Sequence, residues 1–427
     1  MQILIYGHGS ARDHATFVRL KKESSEKIIY FALSGPNALL EEEDGVFRVN
    51  DAEEAAKEAN RLKVELVLML GYSEKLIEDI EIFKRSACPV LEIDESIFKL
   101  EASKKYSKEM MRSWGVPTPE QWCFKDSVSA VSFIKQNWEK LAGEIVVKAD
   151  AMLDNPGHRA TTPDTIDSAI VAVETLAKFY PQDILIERRV FGTELSLHLL
   201  FDGNSYVLLP PVQDYKRLLF GDRGPNTAGI GSVASTFKED IAILEGLEEK
   251  IIIPTLSGMQ MLSNKLQMIL YIGVILTDTG PMVLEYNIRS GSPEWLALLP
   301  LIKSPLTDLF KHLRDKTLAK AEISFREDFC STATAIVARG YPNEPFLGPM
   351  PITYNPDVLK DVEIYGENLY LKDGRLMAET GRVAMVVSSG ESWSEVRERS
   401  LKGISQINFP GMYYREDIGI SGLKLYA

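Results

Sequence analysis

The stretch PMVLEYNIRSGSPEWLALLP, residues 281–300, begins like a buried β-strand and ends like an apolar helix. Its middle is polar, with Glu285 and Asn287 two positions apart. Side chains at positions i and i+2 of a strand point to the same face of the sheet. A carboxylate and an amide placed in this way supply the oxygen ligands that a magnesium ion on a nucleotide phosphate takes. A strand end that merely reaches solvent carries similar residues, so both interpretations remain open on this stretch alone.

The composition of the chain excludes several classes of partner. The 427 residues are 45% hydrophobic and 26% charged, which is typical of a globular protein with two to four domains. The net charge of −13 disfavours nucleic acid and anionic membrane as partners, and no apolar run reaches the length of a membrane span. The three cysteines are scattered, which indicates a reducing compartment and no zinc site. We therefore expect a cytoplasmic protein whose main partner is neither nucleic acid nor a membrane.

Three patterns follow one another along the chain. Residues 1–100 alternate short apolar runs with amphipathic stretches, which is typical of a parallel α/β domain. Residues 101–325 mix helices with strands, including two strands around a turn at 202–204, while the glycine-bearing stretch 211–235 is expected to form a long loop. From 326 to 427 short strands and turns dominate. The predicted fold class is α/β with several domains, the last of them mixed β.

GHGSARDHA, residues 7–15, follows the first predicted strand and opens a helix. Gly7 and Gly9 would let the backbone approach a phosphate, and a helix start adds N–H groups and the positive end of the helix dipole. The pattern is looser than a dinucleotide-binding fingerprint. Many α/β domains carry such a glycine turn for steric reasons, so the motif alone assigns no ligand.

Two lysines are candidate phosphate ligands. Lys148 ends the apolar strand EIVVK, where burying a charge without an anionic partner is costly. Lys104 lies at the start of a predicted helix. A lysine that reaches solvent from a strand end explains Lys148 equally well on local grounds.

ILIERRVFGTELSL, residues 184–197, has the pattern of a strand, a turn and a second strand. Its crossover can give an adenine ring a backbone donor and acceptor, with Val190 against the ring. Glu187 ends the first strand, and Glu194 can accept hydrogen bonds from ribose hydroxyls. Without other evidence the segment is only a pair of strands.

Two motifs lie within the predicted long loop: QDYKR, residues 213–217, and GPNTAGIGS, residues 224–232. Asp214 can accept a hydrogen bond from a substrate amine. Lys216, Arg217 and the backbone of the glycine-rich run can hold an anion. The alternative is a surface loop without function, but the stretch is neither of low complexity nor polar throughout.

The order of these motifs along the chain resembles the phosphoribosylamine–glycine ligase (glycinamide ribonucleotide synthetase) family of the ATP-grasp superfamily. The motifs are, in order, the glycine turn, the two lysines, the 184–197 segment, QDYKR, GPNTAGIG and LEYNIRSGSPE. The resemblance covers nearly the whole chain, and the tail YYREDIG, residues 413–419, looks like the end of that family. It implies an ATP-grasp fold with a Rossmann-like domain at 1–100, an ATP-grasp domain at 101–325 with a lid at about 122–190, and a C-terminal mixed β domain at 326–427.

The resemblance also implies ATP and Mg²⁺ (or Mn²⁺) as cofactors, with Glu285 and Asn287 as metal ligands. The catalytic groups would be Asp214, Lys216 and Arg289. The nucleotide would be contacted by Lys104, Lys148, Glu187, Arg188, Val190 and Glu194. The acid and the amine would be contacted by Gly7, Gly9, His14, Asp214, Arg217, Gly224, Pro225, Asn226, Thr227, Arg289 and Glu294.

The implied reaction is an ADP-forming ligation in two steps. A carboxylate attacks the γ-phosphate of ATP to give an acyl phosphate, and an amine then displaces phosphate to form an amide. In this family glycine and phosphoribosylamine give glycinamide ribonucleotide for purine biosynthesis. The partners would then be small molecules, and we expect a monomer or a weak homodimer.

Four departures from the family pattern qualify the expected substrate. GHGSARDHA has one more residue than the family's GNGGREHA, GYSEKL at 71–76 replaces a GPEAPL-like turn, and RSGSPE at 289–294 replaces RFGDPE. After Lys148 the family's glycine-rich lid becomes ADAMLDNPGHRATT with a single glycine, where His158 and Arg159 are candidates to supply positive charge. Two alternatives therefore stay open: a paralogous ligase that joins another small acid to a different amine in a secondary pathway, and a nucleotide-binding protein without turnover.

Overall fold

The N-terminal region is a parallel sheet flanked by helices, as its alternating pattern predicts. The computed structural model describes residues 1–23, 29–71, 73–151, 160–180, 182–342, 348–355 and 362–423. The first elements are β1 Ile3–Gly7, α1 Ala11–Glu23, β2 Ile29–Leu33, α2 Ala38–Glu41, β3 Val46–Arg48, α3 Ala52–Arg61, β4 Leu66–Leu68, α4 Leu76–Arg85, α5 Glu95–Ala102 and α6 Lys104–Ser113. The strands pair in the order β3-β2-β1-β4, all parallel. Their carboxyl ends meet at one edge, where α/β sheets bind ligands.

A small second layer has a core of its own. It consists of β5 Gln121–Phe124, α7 Ser127–Asn137, β6 Ile145–Ala149, α8 Ile166–Phe179 and β7 Ile184–Arg188. The strands form an antiparallel sheet in the order β5-β7-β6. Buried residues such as Ile134, Val147, Val173 and Ile186 pack the two helices on this sheet, apart from the main core. This unit, β5 to β7 with α7 and α8, is called the lid unit below.

The central layer is one large antiparallel sheet. Its elements are β8 Thr193–Phe201, β9 Tyr206–Leu208, β10 Val212–Leu219, β11 Arg223–Ser235, α9 Lys238–Ile241, α10 Glu245–Leu247, α11 Ile253–Leu262, β12 Met268–Thr277, β13 Gly280–Asn287, α12 Glu294–Leu298, α13 Leu306–Arg314 and β14 Cys330–Val337. Short 3₁₀ segments lie at Ala242–Leu244, Leu299–Leu301 and Leu318–Lys320, and a π turn at Glu248–Ile252. The sheet places β13 at one edge and β10 and β11 near its middle.

The C-terminal strands continue this sheet. The elements are β15 Met350–Pro351, β16 Thr353–Tyr354, β17 Glu363–Gly366, β18 Leu369–Lys372, β19 Arg375–Ala378, β20 Arg382–Gly390, α14 Trp393–Ile404 and β21 Ile407–Asn408. The order of the central sheet is β13-β12-β8-β10-β11-β14-β20-β17, with β9 on β8. Small sheets β15-β19-β18 and β16-β21 lie beside it. The main core runs without a break from β1 through the central sheet to β20.

The structure corrects two expectations. The predicted loop at 211–235 is a hairpin, because Val212–Tyr215 pair in register with Gly231–Ala234. Its glycines weaken the strand pattern, since a glycine in a strand marks a bulge or a close approach of backbone. The C-terminal region also contains a full helix, α14, which Ser392 caps by accepting from the N–H of Glu395.

Candidate active site

A cleft of about 440 Å³ opens where the carboxyl edge of the N-terminal sheet, the lid unit and the central sheet meet. The ends of β1, β2 and β4 reach the cleft with Gly7, Ser34 and Met69. The lid unit contributes Lys148, and β13 forms another wall. Of the residues that the sequence singles out, the lining contains Gly7, Lys104, Lys148, Glu187, Asp214, Lys216, Asn226, Thr227, Glu285, Asn287, Arg289 and Glu294. The structure therefore brings together groups that lie up to almost 300 residues apart in the chain.

Three lysines and one carboxylate form what we call the lysine end of the cleft. Glu187 accepts from Lys148 at 2.9 Å, and Lys108 lies 3.0 Å from its other oxygen. Lys108 also donates to the hydroxyl of Thr118 at 2.6 Å. Burial lowers the pKa of Lys108 to about 8, although Glu187 acts against this. Burial alone would raise the pKa of Glu187, but Lys148 and Lys108 bring it below its usual value.

Lys104 reaches the same end from the first turn of α6. Ser103 caps this helix, and its hydroxyl donates to both oxygens of Asp150 at 3.0 Å. Lys104 donates to the carbonyl of Ala151 at 2.6 Å. The start of α6 is thus tied to the segment that follows β6, so Lys104 and Lys148 face the cleft from two adjoining elements.

Glu285 and Asn287 lie on β13 and line the cleft together, as their i, i+2 spacing requires. In the register with β12 they stand opposite Gly273 and Tyr271. Arg289 donates to the side-chain oxygen of Asn287 at 3.3 Å. In the described parts of the chain no group of three or more His, Cys, Asp and Glu side chains is arranged to hold a metal ion. One carboxylate and one amide oxygen fit a magnesium ion whose remaining ligands are phosphate oxygens and water.

The opposite end, which we call the acid end, contains a partly buried carboxylate, Asp214, and a buried one, Glu294. Asp214 lies on β10, and Glu294 is the first residue of α12. Burial, and then the charge of Glu294, raise the pKa of Asp214 well above its usual value. Burial likewise raises the pKa of Glu294. Within the described residues Asp214 Oδ1 is a buried oxygen that accepts no hydrogen bond.

Two cations of this end, Lys216 and Arg289, have acidic partners. Lys216 lies 3.2 Å from Glu194, and this carboxylate raises the pKa of the lysine well above its usual value. Arg289 donates to Glu101 at 2.9 Å, and the second oxygen of Glu101 accepts from the backbone N–H that follows β13. Arg289 is thereby held in a fixed orientation at the rim of the acid end.

Arg382 is a third cation of this end that the sequence did not reveal. It donates to Glu367 at 2.8 Å and to the carbonyl of Ser292 at 2.8 Å, and it also reaches the carbonyl of Ala228 at 3.0 Å. Both Arg382 and Glu367 line the cleft. They come from C-terminal strands without a motif, so no local signal announces them. Lys108 could have been found, since it lies one helical turn after Lys104.

Several predicted site residues lie outside the lining of the cleft: Gly9, His14, Arg188, Val190, Glu194, Arg217, Gly224 and Pro225. His14 is buried elsewhere, where its Nδ1 accepts from the backbone N–H of Gly366 at 3.1 Å and burial lowers its pKa to about 3. Arg188 is exposed, and the carboxylate of Glu194 contacts Lys216 rather than the cleft. His158 and Arg159 lie outside the described residues.

Comparison with known proteins decides the family. The model of the phosphoribosylglycinamide synthetase ATP-grasp (A) domain matches residues 102–295, and the model of the C domain of the same synthetase matches residues 331–421. The chain belongs to the phosphoribosylglycinamide synthetase family. The predicted family and class of enzyme, an ATP-grasp ligase, are thereby confirmed.

Individual relatives of the phosphoribosylglycinamide synthetase family match over their full length. The chain is 29% identical over 423 residues to the phosphoribosylamine–glycine ligase of Caldanaerobacter subterraneus, which covers 98% of this chain and 99% of that protein. The crystal structure of phosphoribosylamine–glycine ligase from Thermotoga maritima superposes with a TM-score of 0.80 at 26% identity, over 98% of this chain and 100% of that one. Biotin carboxylase from Campylobacter jejuni has the same fold, with a TM-score of 0.68 at 13% identity over 98% and 94% of the two chains. The predicted ATP-grasp fold is therefore confirmed.

The sequence contains no apolar run long enough for a membrane span. Among the described residues no helix is both long enough and apolar enough to cross a bilayer.

Proposed function

We propose that this chain is an ATP-dependent carboxylate–amine ligase that joins glycine to phosphoribosylamine through an acyl phosphate. One observation carries the proposal: a single cleft holds the lysines, the Glu285–Asn287 edge and the carboxylates of Asp214 and Glu294. An anionic nucleotide matches the first two features, and a primary amine matches the third. The phosphoribosylamine–glycine ligase of Caldanaerobacter subterraneus matches 98% of this chain and supports the same substrates.

At the lysine end the chain binds and orients the phosphates. Lys104 and Lys148 neutralise charge on the β- and γ-phosphates, which lowers the repulsion that an attacking carboxylate meets. Magnesium or manganese, held by Glu285 and Asn287, would add further neutralisation of the phosphoryl group being transferred. Lys108 and Glu187 fix Lys148, so its ammonium group need not reorganise during the reaction.

At the acid end the chain positions the two substrates of the amide bond. Arg289, oriented by Glu101, is placed to hold the carboxylate whose oxygen attacks the γ-phosphate with loss of ADP. The amine nitrogen then bonds to the carbonyl carbon as the bond from that carbon to the phosphate oxygen breaks. Asp214 accepts the proton that nitrogen releases, and its raised pKa makes it a stronger base.

A panel of substrates tests this assignment. The purified protein is incubated with ATP, Mg²⁺, an amino acid and an amine, and phosphate release is followed. Release only with glycine and phosphoribosylamine together is the expected result. Release with another pair would replace this substrate assignment, and nucleotide binding without release under any pair would contradict the ligase proposal.

One feature favours a second candidate, a paralogous ligase with a different amine. Ser292 stands where the family motif has an acidic residue, and Arg382 uses its guanidinium on the Ser292 carbonyl and on Glu367. The acid end therefore lacks the negative charge that the acidic residue of the RFGDPE motif would place at position 292. The panel distinguishes this candidate because the productive amine would then be another compound.

We also propose the finer features that accompany this activity. These are a cytoplasmic location, a monomer or weak homodimer, and domains at 1–100, 101–325 and 326–427 with a lid at about 122–190. The separate core of the lid unit supports the last of these. Sedimentation equilibrium measures the oligomeric state, and limited proteolysis tests the domain limits.

A further inference from the structure

The tail motif YYREDIG, residues 413–419, has no role in the reaction proposed above. None of its residues lines the cleft. The tail nevertheless packs against the hairpin β10–β11, which carries Asp214, Lys216 and Thr227. Tyr413 exchanges backbone hydrogen bonds with Val337 at 2.9 and 3.0 Å, and this pairing holds the tail beside the sheet.

Arg415 joins the tail to the hairpin through several polar contacts. Its guanidinium is buried and binds both oxygens of Asp417, at 2.8 and 2.5 Å. It also donates to the carbonyl of Arg217 at 2.9 Å and to Asp222 at 2.8 Å, and it lies 4.9 Å from the ring centre of Tyr215. The planar guanidinium group of an arginine has five N–H donors and can bind all these acceptors, whereas the single ammonium group of a lysine cannot reach them all.

Asp417 fastens the tip of the hairpin directly. Its carboxylate accepts from the backbone N–H of Gly221 at 3.0 Å. Gly221 and Asp222 both have positive φ, at 70° and 55°, so the tip uses a left-handed conformation that few residues adopt. The pair Arg415–Asp417 therefore holds a turn that is costly to form on its own.

The hairpin needs this support because its ladder is broken at the cleft. Tyr215 pairs with Gly231, but two residues further on Arg217 pairs with Asn226. β11 thus inserts residues 227–230 opposite a single residue of β10. A bulge of this kind leaves ladder hydrogen bonds unmade and aims side chains away from the sheet. The outer half of the hairpin is consequently tied to the sheet through few backbone bonds.

The same outer half contacts the lid unit, at the segment between β6 and α8. Arg217 donates to the hydroxyl of Thr162 at 3.1 Å, and Asn226 donates to the carbonyl of Ala160 at 3.1 Å. Thr227, the first residue of the bulge, and Lys216, the single residue opposite the bulge, both line the cleft. Movement of the hairpin tip would therefore displace both the acid end and its contact with residues 160–162.

We propose that Arg415, clamped by Asp417, is a positioning residue that fixes the outer half of the β10–β11 hairpin and thereby places Lys216 and Thr227 for the acid and amine substrates. The inference rests on the proposed function only for its kinetic readout. The two residues touch no substrate, so they act on the reaction through the hairpin alone.

Hydrogen exchange tests the inference without any turnover. Arg415→Lys keeps the positive charge and removes the planar guanidinium group. Asp417→Asn keeps the shape of the side chain and removes its negative charge. Both variants are expected to accelerate amide exchange across residues 216–230 by about tenfold, and in the same peptides. Arg399→Ala is the matched control, because it removes a partly exposed arginine of the same C-terminal region that binds Glu395 and the carbonyl of Ser389. It should leave those peptides unchanged.

Steady-state kinetics separate positioning from a loss of folded protein. Both variants should raise KM for the acid or the amine by about tenfold while KM for ATP changes by less than about threefold. A purely structural role would lower the active fraction, and with it kcat, without moving either KM. Unchanged exchange at 216–230, or acceleration spread evenly over the whole core, would overturn the proposal. If the wild-type protein ligates nothing, the ligase proposal fails while the exchange result still decides this one.

Discussion

The two ends of the cleft handle charge in opposite ways. At the lysine end Lys108 and Lys148 share Glu187, and the lysines outnumber the acid. At the acid end Lys216, Arg289 and Arg382 each contact a carboxylate, and burial raises the pKa values of Asp214 and Glu294. One end is thus prepared to receive an anion and the other to receive a cation or a hydrogen-bond donor. This asymmetry, rather than any single motif, indicates a reaction between a nucleotide phosphate and an amine.

The largest effect is expected from Glu285→Gln, which removes charge from the proposed metal edge. Use of Mg·ATP, measured as kcat/KM for ATP, should fall by at least ~100-fold because a metal ligand loses its charge. Asp278→Asn, an exposed acid in the turn between β12 and β13, is the control and should change little. A fall of less than about tenfold for Glu285→Gln would place the metal elsewhere.

Asp214→Asn should lower activity and raise stability at the same time. Losing the Asp214 carboxyl group as hydrogen-bond partner and base for the amine costs about 2 kcal/mol, or about 30-fold in kcat/KM. Because the folded state raises the pKa of Asp214, it holds a proton that the unfolded chain releases above about pH 4. The unfolding free energy of the wild type therefore falls as pH rises from there towards the raised pKa. The unfolding free energy of the variant should not show this fall, because asparagine does not titrate.

Chemical denaturation between pH 4 and 8, for wild type and variant, measures the difference. Equal slopes would mean that Asp214 is ionised in the folded protein, and the contrast between the two ends would then disappear.

Lys108→Met tests the lysine end with a smaller effect on activity. KM for ATP should rise by about tenfold, since Lys148 would lose part of the arrangement that orients it. Folding lowers the pKa of Lys108 to about 8, so between pH 8 and 10.5 the unfolded chain binds more protons. The stability of the wild type relative to the variant should therefore increase with pH across this window. A relative stability that does not depend on pH would show that the pKa of Lys108 is not lowered by folding.

The smallest effect is expected from Arg188→Ala. The side chain is exposed and does not line the cleft, so KM for ATP should change by less than about twofold. An adenine contact through the backbone of this segment would survive the substitution. A tenfold rise in KM would show that the guanidinium itself reaches the nucleotide.

The sequence could predict those parts of the site that local spacing encodes. The pair Glu285 and Asn287 shares a face because strands have a period of two, and Lys148 ends a short apolar strand. The parallel N-terminal sheet also follows from alternating elements. The hairpin β10–β11 was not predictable in this way, since its bulge and glycines disturb the alternation that identifies strands.

The remaining contacts depend on tertiary structure. Arg382 and Glu367 reach the acid end from C-terminal strands that join the central sheet next to β14. Arg415 reaches the hairpin from the tail, across nearly 200 residues of sequence. No local pattern encodes such pairings, because they arise only when distant strands adopt their order in the sheet.

Transfer of oxygen from the acid to phosphate tests the central claim most directly. Glycine labelled with ¹⁸O in both carboxylate oxygens is turned over with ATP and phosphoribosylamine, and the inorganic phosphate is analysed by mass. An acyl phosphate predicts one ¹⁸O in each phosphate released, because the attacking carboxylate oxygen leaves with it. Phosphate without label, formed while the amide accumulates, would contradict the account.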